Sequence, residues 1–259
     1  MRAKKSLGQH WLKDEAALQS ICADAELTKK DLVLEIGPGQ GDLTGQLQSG
    51  AGRVIAVEID EALAAQLPAA ENLEVVSQDI LKFDLTQLPP DYKVVANIPY
   101  YLTSNLIRVL SESPNPPSRM VLLVQKEVAE RLAAPPGRMS LLSVSVQLYY
   151  EPQLGRVVPA GLFEPPPKVD SQVIILRRRP RPLFEQLDKR LFFRIVKAGF
   201  AGRRKKLRSS LAAGLAVEKS QADQWLEQAK ISGDLRAQNL SLSEWHKLYT
   251  AVIQSKYYE

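Results

Sequence analysis

The chain has 259 residues, 45% of them hydrophobic and 24% charged, with a formal net charge of +5. This length suits one ample domain plus a small second one, and no apolar run reaches the roughly 20 residues of a membrane-spanning helix. A single cysteine, Cys22, excludes an intrachain disulfide, and with His10 and His246 as the only histidines there is no ligand set for structural zinc. The basic opening Met1-Arg2-Ala3-Lys4-Lys5 lacks the apolar stretch of a secretory leader, so the expected location is the cytoplasm of a prokaryote-like cell. An amphipathic helix is expected from Asp14 to Ala25, with Cys22 as a packing residue.

The apolar run Leu32-Val33-Leu34-Glu35-Ile36 breaks at Gly37-Pro38-Gly39-Gln40-Gly41-Asp42, after which Leu43 and Leu47 recur at helical spacing: strand, glycine loop, helix. Asp42 stands where the G-x-G-x-x-G dinucleotide pattern needs its last glycine, which argues against a nicotinamide dinucleotide. A glycine bend before a helix start lets backbone approach an anionic group closely, and S-adenosylmethionine (SAM) offers an amino-acid carboxylate there and no pyrophosphate. The next strand, Arg53-Val54-Ile55-Ala56-Val57, ends in Glu58, placed to accept both ribose hydroxyls. A third, Leu73-Glu74-Val75-Val76, leads to Asp79-Ile80, a carboxylate for an adenine amine and an apolar side chain for its ring.

The strand Lys93-Val94-Val95-Ala96 closes on Asn97-Ile98-Pro99-Tyr100, a carboxamide, a rigid turn and an aromatic ring. Adenine's exocyclic amine is a poor nucleophile because its lone pair is conjugated into the ring. An Asn oxygen and a backbone carbonyl accepting its N–H groups would help free that pair. Pro99 fixes its own φ and holds Ile98 extended, giving the Ile98 carbonyl a defined direction, and Tyr100 can stack on the base or face a cation.

A helix over Ser104 to Leu110, a strand over Met120 to Gln125 and a helix opening at Lys126 follow. Two more strands are expected near Gly155 to Pro159 and Ser171 to Arg177. Between them, Phe163-Glu164-Pro165-Pro166-Pro167 makes a stiff loop in which Phe163 is either a buried anchor or a ring presented to the site. The alternation predicts an α/β, doubly wound, mainly parallel sheet of Rossmann type, with the cofactor at the carboxyl ends of its strands.

Arg179-Pro180-Arg181-Pro182 reads as a linker, dividing the chain into domains over residues 1–179 and 180–259. Helices are expected beyond it over Leu187 to Phe200, Lys205 to Ala213, Ser220 to Ala229 and Ser243 to Gln254, with capping residues at Ser220 and Ser241 and with Trp225 and Trp245 in the core. Between Arg177 and Arg208 stand thirteen Lys or Arg against Glu185 and Asp188 alone. Such segregated charge is the footprint expected for a phosphate backbone, with Arg203, Arg204, Lys205, Lys206 and Arg208 as the RNA-contacting group.

Five motifs together carry a family resemblance: Ser6-Leu7-Gly8-Gln9-His10-Trp11-Leu12, Glu35-Ile36-Gly37-Pro38-Gly39-Gln40-Gly41, Asn97-Ile98-Pro99-Tyr100, Phe163-Glu164-Pro165-Pro166-Pro167-Lys168-Val169-Asp170-Ser171 and Gly199-Phe200-Ala201-Gly202-Arg203-Arg204-Lys205. In these the chain resembles the SAM-dependent small-subunit (16S) rRNA adenine N6,N6-dimethyltransferases of the KsgA (RsmA) type, which modify two adjacent adenosines near the RNA 3′ end. The resemblance implies a seven-stranded sheet with its last strand antiparallel and a small all-α C-terminal domain. It places cofactor contacts on Gln9, His10, Leu12, Gly37, Glu58, Asp79 and Asn97, with Gly39, Ile59 and Ile80 joining them. Its target-base pocket falls on Asn97, Ile98, Pro99, Tyr100 and Phe163, the two rings clamping the base. Trp11 stands where the family more often has Phe, and His10 where many members have Asn; both keep the aromatic or hydrogen-bonding character.

The implied partner is small-subunit rRNA or an immature small subunit, with a role in its biogenesis, no metal, no membrane and a monomeric protein. Macrolide-resistance methyltransferases of large-subunit rRNA share the glycine loop and the Asn turn, but the Phe163-to-Ser171 and Arg203-to-Lys205 segments favour the small-subunit type. DNA adenine methyltransferases more often carry Asp-Pro-Pro-Tyr. A mainly non-catalytic assembly factor is the rival from another class, opposed by the complete set of expected contacts.

Overall fold

A computed structural model describes residue 4 and residues 7–202 and 204–255. They divide into two compact units, Met1–Glu130 with Tyr150–Arg178, and Arg131–Tyr149 with Arg179–Glu259.

The first unit runs β1 (Trp11–Leu12), α1 (Glu15–Asp24), β2 (Leu32–Ile36), α2 (Asp42–Gly50), β3 (Arg53–Glu58), α3 (Glu61–Ala64), β4 (Leu73–Ser77), β5 (Lys93–Asn97), α4 (Thr103–Glu112), β6 (Arg119–Gln125) and α5 (Lys126–Leu132). After α6 (Leu141–Gln147) the chain returns to it for β7 (Tyr150–Val158), β8 (Phe163–Glu164) and β9 (Ser171–Arg178). Seven strands form one sheet in the order β4-β3-β2-β5-β6-β9-β7. Neighbours from β4 to β6 are parallel, and β9 is antiparallel to both β6 and β7. The last strand is thus the antiparallel one. β7 begins earlier than its apolar pattern suggests and carries an irregularity between Leu154 and Val157.

Strands covered on both faces read as continuous apolar runs, because every alternate side chain meets a layer of helix. Val33, Val54, Val95, Val121, Val173 and Ile175 pack in one core with Leu18 and Ile21 of α1 and Leu43 and Leu47 of α2. Each such side chain, fully buried, contributes about 1.5–3 kcal/mol. α1 starts where it does because Asp14 accepts from the Ala17 N–H (2.8 Å). Cys22 is half-buried on this helix, and burial, followed by the nearby Glu35, pushes its thiol up to about 12, which suits a packing role.

The second unit holds α6, α7 (Lys189–Phe200), α8 (Leu207–Leu215), α9 (Lys219–Gln228) and α10 (Leu242–Gln254). Trp225 and Trp245 are 1% and 0% exposed at its centre. Ser241 and Glu244 form a reciprocal capping box on α10, whereas Ser220 lies inside α9, whose N-cap Glu218 makes no side-chain cap bond. One cut after residue 179 therefore misses a segment. Arg131–Tyr149 joins the helical unit because Met139, Val144 and Leu148 pack into its core, and the N–H groups of Gly137 and Met139 donate to the Gln238 carbonyl. That segment is too short and too mixed in composition to announce its partner.

Candidate functional site

The chain leaves β2 toward β3 on one side and later places β5 on the other, so a crevice opens beyond the carboxyl ends at this reversal. Three backbone or backbone–carboxylate bonds fasten the strand ends there: Gly37 N–H to the Val57 carbonyl (2.9 Å), Gln78 N–H to the Glu58 carbonyl (2.9 Å) and Gly39 N–H to Glu58 Oε2 (3.1 Å). Gly37 and Gly39 have φ of +67° and +60°, a region side-chain-bearing residues avoid. A Cβ on Gly37 would stand in open space over the cleft, while one on Gly39 would lie 2.9 Å from the Trp11 indole. The first glycine clears room for a ligand; the second lets Trp11 close over the loop.

The cleft holds about 960 Å³ of space, its open mouth included, and is lined by Gln9, His10, Gly37, Gly39, Glu58, Ile59, Asp79, Ile80 and the whole Asn97-Ile98-Pro99-Tyr100 turn. Residues separated by some ninety positions in sequence thus share one wall. Ile59 and Leu81 are 50% and 37% exposed into this cleft, apolar faces of the kind that hold a planar ring. Glu58 accepts with Oε1 from Asp60 N–H (2.9 Å) and with Oε2 from Gly39, so its carboxylate is fixed while each oxygen keeps a further lone pair. Asp79 accepts from the Leu81 N–H (3.0 Å), which orients its carboxylate the same way.

Asn97 donates from Nδ2 to the His10 carbonyl (3.0 Å), leaving Oδ1 as the acceptor end of the amide. The N-terminal segment, which no pattern in the strand region announces, is what orients this side chain. His10 is held in turn through Nδ1 and the Pro165 carbonyl (2.7 Å); because a carbonyl only accepts, Nδ1 carries the proton. The Tyr100 hydroxyl bonds Ser171 Oγ (2.8 Å), and its ring stacks on that of His10 at 5.8 Å and 24°. Burial raises the Tyr100 phenol above its ordinary value, the Ser171 bond opposing it, so the ring is neutral at physiological pH. Ile98 is 1% exposed and its N–H donates to the Leu123 carbonyl (3.2 Å), tying the turn to β6.

Glu35, which opens the glycine-loop motif but has no assigned role there, is a buried carboxyl beneath that loop. Neither of its oxygens, nor the nearby Thr44 hydroxyl, has a hydrogen-bond partner in good geometry. Burial pushes it up to about 8, with Thr44 opposing and the Glu58 carboxylate adding to the shift. Its place in an apolar strand run and its position at the head of the glycine-loop motif are its signals in the sequence.

Of the expected site residues, Phe163 does not line this cleft, and Leu12 lines a smaller adjoining cavity that shares Trp11, Gly37 and Asn97 with it. Leu12 and Phe163 pair across the β1–β8 ribbon and turn into the apolar core with Leu18, Val95 and Val158, exposed by only 3% and 5%. Alternation along a strand sends one side chain inward and the next outward, and in this register Phe163 is the inward one. It is the buried anchor of its Pro-rich loop, and among the described residues the rings that line the cleft are those of His10, Trp11, Tyr100 and Tyr101. In the helical unit, Arg203 lies outside the described residues, and Arg204 and Lys205 are exposed. Lys206 pairs with Asp234 (3.0 Å), and Arg208 with Asp234 (2.8 Å) and Asp223 (3.6 Å). Arg177 and Arg178 pair with Glu26 and Asp91 in the sheet unit.

A family model described as ribosomal RNA adenine dimethylase matches residues 1–254. The chain is 41% identical to ribosomal RNA small subunit methyltransferase A of Dehalococcoides mccartyi, over 96% of this chain and 88% of that protein. It is 40% identical to the protein of the same name from Streptococcus thermophilus, over 96% and 91%. Among solved structures it is similar to a dimethyladenosine transferase from Plasmodium falciparum (TM-score 0.80, 27% identity, 95% of this chain and 98% of that one). It is also similar to the 23S rRNA methyltransferase ErmE (TM-score 0.76, 30% identity, 94% and 100%).

Proposed function

The chain belongs to the ribosomal RNA adenine dimethylase family, and from this membership and the cleft we propose that it dimethylates the N6 amines of two adjacent adenosines in a loop near the 3′ end of small-subunit rRNA, using SAM. The observation that carries the reading is Asn97: its amide is pinned by the His10 carbonyl with Oδ1 left to accept, in one cleft with Gly37, Glu58 and Asp79.

The residues present fit SAM. The open space over Gly37 admits a ligand against backbone, Glu58 suits two ribose hydroxyls, Asp79 an adenine amine, and Ile59 with Ile80 the two faces of a purine. When bound, SAM supplies a methyl group on a cationic sulfur. The protein's own part is positioning. A loop adenosine is taken out of its stack at a cost of roughly a few kcal/mol or less. Tyr100 takes one face of the base, while Asn97 Oδ1 and the Ile98 carbonyl accept the two N–H bonds and turn the nitrogen lone pair toward the methyl carbon. No strong general base is needed, because the nitrogen's proton becomes acidic once the new bond forms and leaves to water. Catalysis is orientation plus tuning of one lone pair. After the first transfer one N–H remains to be held, so the monomethylated amine stays aligned for the second. A role in small-subunit biogenesis follows from this substrate.

Labelled SAM incubated with the protein and immature small subunits, isolated small-subunit RNA or large subunits, with primer extension to map the product, tests this. Two adjacent modified adenosines near the small-subunit 3′ end are expected. Label confined to large-subunit RNA would overturn the assignment.

A further inference from the structure

We infer that a cationic groove between α7 and α8 grips an RNA phosphate backbone without reading its bases, a step that rests on the RNA substrate proposed above. The groove is lined by Arg190, Arg194 and Lys197 above a floor of Ala198, Ala201 and Gly214. The three cations recur at i, i+4 and i+7, one stripe about 10 Å long on the helix, and α7 itself contains no acidic residue. Its one flanking acid, Asp188, accepts from the N–H groups of Arg190 and Leu191 at the helix start. Lys189, off the stripe, lies 4.9 Å over the Tyr149 ring. Arg190 and Lys197 have no carboxylate within ion-pair distance among the described residues, whereas Lys206 and Arg208 are engaged by Asp234.

The floor is concave because the helices touch backbone to backbone: a Cβ on Gly214 would lie 2.6 Å from Ala198 Cα. Among the described residues no aromatic or large apolar side chain lines the groove, so these residues offer neither a stacking platform for bases nor an anchor pocket for a protein partner. Cations on a smooth trough are suited to phosphates, which set register and carry no sequence information.

The test is binding of the full-length protein to a small-subunit rRNA fragment, followed by fluorescence anisotropy across a salt series. Neutralising all three cations (Arg190→Gln, Arg194→Gln, Lys197→Gln) is expected to weaken binding on the order of 100-fold near 0.1 M salt and to flatten the log–log salt slope by about 2. Ala201→Glu, which sets a carboxylate on the exposed floor and leaves the cations in place, is expected to weaken it about tenfold. A matched removal of charge elsewhere in the same unit (Lys219→Gln, Lys230→Gln, Lys247→Gln) is expected to do far less. Calorimetric SAM affinity should be the same in all variants, which separates groove loss from misfolding. Wild-type affinity and slope in both groove variants, or an equal loss in the matched control, would overturn the groove while leaving the RNA substrate intact. A wild-type protein that binds no rRNA would overturn the substrate reading as well.

Discussion

The cleft and the basic surface hold their functional groups by different means. In the cleft, Glu58 and Asn97 are the last residues of β3 and β5, the strands that flank β2 in one sheet, and their side chains are fixed by short bonds to backbone groups of Gly39, Asp60 and His10. On the helical unit the cations ride on long side chains, and carboxylates brought up by folding decide which are quenched: Asp234 takes Lys206 and Arg208. Register positions a group to a fraction of an ångström; surface pairing only selects which charges stay available, since an exposed pair is screened and weak. Catalysis needs the first kind of control and backbone binding tolerates the second.

The comparison breaks most sharply at Asn97. Asn97→Ala is expected to lower single-turnover methyl transfer on the order of a thousandfold with SAM affinity much less affected, and near-wild-type turnover would remove the cleft's central argument. Phe163→Ala should cost roughly 3–5 kcal/mol in a denaturant melt because it empties a core position, with Phe163→Leu recovering most of it. Lost transfer with an unshifted melt would return Phe163 to the base as a clamp. Glu58→Ala should weaken SAM binding by about 1.5–3 kcal/mol in calorimetry, the worth of hydrogen bonds to a charged acceptor; unchanged affinity would rule out the ribose contact.

Glu35 sharpens the contrast through pH. Its carboxyl stands near 8 when folded against an ordinary value of 4.5, so across that window the folded chain keeps a proton the unfolded chain has released. Stability should therefore fall as pH rises from about 4.5 to about 8 and level off above, and Glu35→Gln should flatten that part of the profile in urea melts. An equally steep fall in the variant would mean another group carries it. The smallest effect is expected at the paired surface: Lys206→Ala should leave the unfolding midpoint unmoved within error, and a clear shift would show the Asp234 pair to be structural.

The sheet and most of the cleft were legible because the central strands are largely apolar runs and the candidate residues sit at their ends or just past them. Glu58, Asp79 and Asn97 could be placed from sequence for that reason alone. Phe163 could not, since a two-residue ribbon gives no alternation from which to tell inward from outward, and its two readings stayed open until the β1–β8 register closed one of them. The helical unit's boundary failed similarly at Arg131–Tyr149, whose core contacts come from far along the chain.

Sequence by itself determined the order of elements, the glycine bend, the identity of the chemical groups and the excess of positive charge from Arg177 to Arg208, since all of these are local. Only the tertiary structure decided that the His10 carbonyl orients Asn97, that Glu35 is buried beneath the glycine loop, and that Asp234 takes Lys206 and Arg208 out of the basic cluster while, among the described residues, Arg190 and Lys197 of α7 meet no carboxylate. Those outcomes depend on pairs of groups distant in the chain, and no local pattern specifies which distant carbonyl or carboxylate folding will bring within 3 Å.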